Sequence, residues 1–180
     1  MKRWRLLLLA GVVANAAAQS GAYPGRPAAK NYPADEDEMP WRELEIEPPG
    51  FPKPENLREF YVSAVATNKY SIDASTLSVG ADGVVRYVLV VQTSGGATNI
   101  SFEGMNCKEN SWKHYATGRS DGNWTKSRAT RIEWWPIENK EVNRHHAALS
   151  RDLFCPAHNA IRSADEGRNA LRLGKHPYAN

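Results

Sequence analysis

Val84-Val-Arg-Tyr-Val-Leu-Val-Val91 is the stretch that decides the fold. Its side chains are apolar on both alternating faces except at Arg86, so as a strand it needs cover on each side, and its β-branched content favours a strand over a helical turn. Gly80-Ala-Asp-Gly83 before it is a turn. After it, Ser94-Gly-Gly-Ala97 reads as a hairpin connection into Asn99-Ile-Ser-Phe-Glu103, where Ile100 and Phe102 alternate with polar partners. Arg86 is the exception in this central strand, and a buried guanidinium needs a partner. An even-numbered hairpin loop places Glu103 on the same face within a diagonal step, so the expectation is a structural ion pair between Arg86 and Glu103.

Outward from this hairpin, Phe60-Tyr-Val-Ser-Ala-Val65 and Tyr70-Ser-Ile-Asp73 read as earlier strands. Trp112 to Ala116 and Arg131 to Trp135 read as later ones, with turn residues from Gly118 to Gly122 between them. The period then changes. Val142, His146, Leu149 and Leu153 share one helical stripe, Ile161, Ala164 and Leu171 a second, and Gly174 is a stop signal. Strands first and helices last predict an α+β fold, an antiparallel sheet from the N-terminal and central part packed with two C-terminal helices. The domain is expected over residues 48–174, with 175–180 as a tail.

The first eighteen residues have another purpose. Lys2, Arg3 and Arg5 precede the short apolar run Leu6 to Val13, and small side chains at Ala16 and Ala18 suit a signal peptidase. Cleavage after Ala18 is expected, with a periplasmic mature chain. The apolar run is shorter than the roughly 20 residues a membrane span needs, and Gln19 offers no thiol for lipid attachment. Residues 19–47 form a proline- and acid-rich leader, largely disordered by composition, though Trp41, Leu44 and Ile46 are placed to lay a first extended piece on the domain. From Pro48 to Pro54 the chain reads as polyproline-like.

The formal charge of +3 shrinks once Lys2, Arg3 and Arg5 leave with the signal peptide, since twenty bases then face twenty acids. A phosphate-tracking surface needs a basic excess, so nucleic acid is not an expected partner. Cys107 and Cys155 are the only cysteines, and an even count in an oxidising compartment predicts a disulfide. Cys155-Pro-Ala-His158 also has the spacing of half a zinc site, with Cys107 as a third ligand; the compartment favours the disulfide, and no metal or cofactor is expected.

No Gly-x-Ser-x-Gly elbow, His-Glu-x-x-His, phosphate loop or Cys-x-x-Cys pair occurs in the sequence. His145 and His146 are adjacent and diverge by about 100° on a helix, so they do not readily share one ion. Aromatic faces are the better binding candidates: Trp124, Trp134 and Trp135 are expected to offer a binding surface, with one of the adjacent pair in the core.

Taken in order, Phe60-Tyr-Val, Ile72-Asp-Ala-Ser-Thr-Leu-Ser-Val-Gly80, Asp82-Gly-Val-Val-Arg-Tyr87, Asn99-Ile-Ser-Phe-Glu-Gly104 with Cys107, Tyr115-Ala-Thr-Gly118 and Leu153-Phe-Cys-Pro156 resemble the cryptic neisserial protein family of proteobacterial envelope proteins. The resemblance runs from about Pro48 to Leu173. It implies export to the periplasm and, for some members, lipoprotein character, from which this chain departs at Gln19; it implies no catalytic residue. Both cysteines match the family pattern, which supports a structural role for them. The leading expectation is a non-enzymatic module that binds an envelope component or protein. The alternative is a hydrolase of envelope material using His145 or His158 with a carboxylate such as Glu138 or Glu141.

Overall fold

The computed structural model describes residues 40–126, 133–141 and 144–179. The signal peptide, most of the leader, Val142 and the start of the Arg131 strand lie outside these residues. Within them the fold is α+β: a wholly antiparallel sheet followed by two C-terminal helices.

The strands are β1 (Leu57–Glu59), β2 (Lys69–Asp73), β3 (Ser78–Val79), β4 (Val84–Gln92), β5 (Thr98–Asn106), β6 (Ser111–Gly118), β7 (Trp124–Lys126) and β8 (Trp135–Pro136). The sheet runs β1-β2-β4-β5-β6-β7, with β3 against β4 and β8 against β6. The apolar run 84–91 lies inside β4 at the centre of this order, and Val84 to Leu89 are fully buried. On one face Val85, Tyr87, Leu89 and Met105 pack under the helices. On the other Val88, Val90, Phe102 and Ala116 form a smaller cluster with Tyr115 and Trp124 at its margin.

The helical layer begins at α1 (Arg144–Ala148) and continues as a π-wound turn through Leu149–Phe154, where Cys155 N–H donates to Ser150 O at 3.0 Å. His146, Leu149 and Leu153 point into the sheet as their spacing predicts. The second helix, α2 (Ala164–Leu173), is capped by the Ser163 hydroxyl, which accepts from Glu166 N–H. Gly174 ends it in the left-handed region at φ 74°. Beyond Gly174 the chain stays docked, with His176 buried, its N–H donating to Asp152 O and its ring against Glu166.

Phe60–Val65 is not a strand. Glu59 pairs with Ser71 and Phe60 N–H donates to Tyr70 O, so the chain must reverse between Phe60 and Lys69 to keep β1 antiparallel to β2. Phe60 and Val62 still face the core, while Tyr61 and Val65 face solvent.

The central hairpin also differs from expectation by one residue. Its connection is the five-residue Thr93–Ala97, closed by Thr93 N–H to Ala97 O, and Gln92 pairs with Thr98. Arg86 therefore stands opposite Gly104, and Glu103 stands opposite Tyr87. Neighbouring residues on a strand point to opposite faces, so the expected Arg86–Glu103 pair does not form. A single-residue slip in the loop reverses every facing assignment beyond it.

Candidate functional site

Residues 40–49 lie extended across the sheet face away from the helices, as a strap held mainly by side chains. Glu43, Leu44, Glu45, Ile46 and Glu47 alternate acid and aliphatic at the pleat period, so acids share one side of the segment. The Glu43 carboxylate accepts from Lys113 Nζ, from the Tyr115 hydroxyl at 2.7 Å and from Trp134 Nε1 at 3.2 Å. Glu47 pairs with Lys126, and Pro49 O accepts from Trp124 Nε1 at 2.8 Å. Leu44 and Ile46 remain partly open to solvent.

A bulge in β6 builds this receiving surface. Gly104 pairs with Lys113 and Phe102 with Ala116, leaving Tyr115 as the extra residue on the bulged strand. Gly104 makes the space: a Cβ there would lie 2.5 Å from the Tyr115 hydroxyl. Burial and the neighbouring Glu43 carboxylate both hold the Tyr115 proton on, above the ordinary phenol range.

Arg86 finds its partner at the edge of the strap. Its guanidinium makes two hydrogen bonds to Asp82, four residues earlier in the turn before β4, and a third to Leu44 O at 3.3 Å. Asp82 accepts from Leu44 N–H as well, and Asp82 O accepts from Trp41 Nε1. The two charged side chains are 2% and 1% exposed. Burial alone would raise the Asp82 carboxyl, but the hydrogen bonds from Arg86, Leu44 and Val84 outweigh it and hold it below its ordinary value.

Glu103 lies on the helix side, where His146 Nε2 sits 2.9 Å from Oε2 and the Ser101 hydroxyl donates to Oε1 at 2.6 Å. The His146 ring stacks on Trp112 at 3.8 Å and leans on His145 at 4.0 Å, and His145 in turn stacks on Tyr70. Burial raises the Glu103 carboxyl, yet the His146 and Ser101 contacts outweigh it and bring it below its ordinary value. His145 is pushed down to about 4, first by burial and then by His146.

Both shifts make the fold acid-labile. The unfolded chain takes a proton on His145 near its ordinary value of 6.5, whereas the folded chain refuses it until about 4. Stability present at neutral pH is therefore expected to fall as pH drops through that window, and Glu103 adds to the loss below its ordinary value of 4.5. Urea midpoints measured from pH 7.5 to pH 4 check this: His145→Phe should flatten the fall, and an unchanged slope in that variant would remove His145 as its cause.

The residues named for hydrolysis do not converge. His145 is packed among Tyr70 and His146, Glu138 pairs with Lys140 at the surface, and Glu141 lies beside Arg144 near the 62–68 turn. His158 stands apart in the turn after the disulfide. Cys107 and Cys155 are bonded to each other, which leaves no thiolate for a zinc site with His158. Among the described residues no cluster of three or more His, Cys, Asp or Glu is arranged to hold a metal.

The three tryptophans have different roles. Trp124 packs on Phe51 and Phe102 and anchors Pro49, so it is part of the strap's seat. Trp134 is half-buried against Glu43 and, edge-on, Trp41. Trp135 is open, with 56% of its surface exposed. Sequence reasoning missed Asp82 as the partner of Arg86, although the four-residue spacing was visible, and it passed over Glu43, Lys113 and Tyr115, which only the bulge brings together.

Two clefts border the strap. One, of about 700 Å³, is lined by residues 43–48 with Lys113, Tyr115 and Lys126. The other, of about 420 Å³, lies where Trp41 and Gly83 meet Asn106, Lys108, Glu109 and the 158–160 turn.

Compared with known proteins, residues 36–172 match the family model described as the CNP1-like family. No curated protein and no solved structure matches the chain.

Proposed function

The chain belongs to the CNP1-like family, and from that premise we propose that it is an exported periplasmic protein acting as a non-enzymatic binding module of the cell envelope. The observation that carries the reading is the strap: laid over the sheet face by side-chain contacts, it borders two clefts walled by aromatic, aliphatic and polar side chains. Small-molecule sites usually occupy roughly 300–1,000 Å³, and both clefts fall within that range. The bond between Cys107 and Cys155 supports an oxidising compartment, and Ala16 and Ala18 supply the cleavage site for export. The histidine with a buried carboxylate partner, His146, contributes to packing under α1 and lines neither cleft.

A photo-crosslinking residue in place of Glu45, which lines the larger cleft, in intact cells, tests the reading together with fractionation and intact mass. The expected result is a periplasmic chain beginning at Gln19 that forms a defined adduct with one envelope component. An uncleaved cytoplasmic chain would overturn the export, and a hydrolytic activity lost on deletion and restored by the purified protein would overturn the non-enzymatic role.

A further inference from the structure

We infer that the cleft between Trp41 and the 156–160 turn is a saccharide-binding site, in which a sugar ring stacks on the open face of Trp41 and its hydroxyls bond to the surrounding side chains. This rests on the binding role proposed above and names its ligand class.

The chemistry of the rim distinguishes this cleft from the larger one. In the larger groove most polar groups are already paired, Glu43 with Lys113 and Tyr115, and Glu47 with Lys126, which leaves the Glu45 carboxylate as its open group. Around Trp41, by contrast, the side-chain charges of Lys108 and Glu109 and the imidazole of His158 have no hydrogen-bond or ion-pair partner among the described residues. Asn106 is largely buried, with its Oδ1 committed to Glu109 N–H, which points the amide without using its donors. Asn159 donates to Ala157 O, leaving its carbonyl oxygen to accept.

Trp41 is held for stacking. Its Nε1 is fixed by Asp82 O and its ring meets that of Trp134 in a T-shaped contact, yet 51% of its surface stays exposed. The opposite wall is a backbone held at unusual angles. Ala157 and His158 take φ values of 49° and 62°, a region that side-chain-bearing residues rarely enter, and this strain holds the His158 ring at the cleft.

A saccharide fits this set best. Its C–H face suits an indole, and its hydroxyls each donate and accept, as do a rim amide, carboxylate, ammonium and imidazole taken together. Of the charged groups lining the cleft, Asp82 is neutralised by Arg86, and Lys108 and Glu109 add one formal charge of each sign, so there is no positive excess to seat a phosphate, and a nucleotide fits less well.

The test uses the isotope-labelled chain from Gln19 onward, titrated with chitobiose, cellobiose and maltose at millimolar concentration and followed by nuclear magnetic resonance. At least one disaccharide should shift the Trp41 indole N–H together with the Asn106 and Asn159 amides. Trp41→Ala should weaken that response about tenfold, the scale of one lost stacking contact, while Trp41→Phe retains part of it. Trp41 also anchors the strap, so Lys108→Ala, which breaks no contact in the structure, serves as the second variant and should weaken binding several-fold. Silence toward all three sugars, shifts indifferent to both variants, or a stronger response to adenosine at the same signals overturns the inference. A crosslinked partner in cells beside such silence would overturn only the saccharide; failure of both experiments would remove the binding role as well.

Discussion

Arg86→Leu is expected to destabilise the chain by about 3–5 kcal/mol, because it strands the buried Asp82 carboxylate beneath the strap. A urea titration reads the loss as a lower midpoint. Asp82→Ala combined with Arg86→Leu should cost less than the sum of the single changes, with a coupling of about 0.5–3 kcal/mol. Leu44 is bonded to both side chains, so hydrogen exchange at Leu44 N–H should rise in either single variant before the sheet amides respond. Additive effects of the two substitutions would show that the pair does not carry the strap. The same cycle run on Arg86 with Glu103, which face opposite sides of the sheet, should give the smaller coupling.

Cys107→Ser is the second large effect, at about 2–5 kcal/mol. Cys107 follows β5 directly and Cys155 ends the π-wound turn after α1, so their bond ties the helical layer to the sheet. The closed loop spans 48 residues, and opening it restores conformational freedom to the unfolded chain worth about 4 kcal/mol in the loop-entropy description. The helices should then be the first elements to open in hydrogen exchange. Thiol titration of denatured, unreduced protein should find none free; two free thiols per chain would falsify the bond.

The pH dependence, the two variants above and the cleft all trace back to contacts of different legibility. The disulfide could be read from a count and a compartment, and the core stripe of His146, Leu149 and Leu153 from a period. Asp82 was within reach, since an acid four residues from Arg86 across a turn is a local relation. Glu103 with His146, and Glu43 with Lys113, Tyr115 and Trp134, were not. Each joins segments more than forty residues apart, and the pairing depends on which face a side chain takes.

That choice of face separates what the chain alone determines from what the assembled fold decides. The apolar period of β4, the alternation of Ile100 and Phe102, the helical stripes and the stop at Gly174 are local patterns, and they determined an antiparallel α+β fold with its core strand and its helices. Register is not local. The five-residue loop Thr93–Ala97 sends Arg86 to the strap and Glu103 to the helices, and the bulge at Tyr115 sets Lys113 and Tyr115 side by side under Glu43. Because side chains alternate every residue along a strand, one residue more or less in a loop exchanges the two faces of the sheet, and only tertiary packing selects between them.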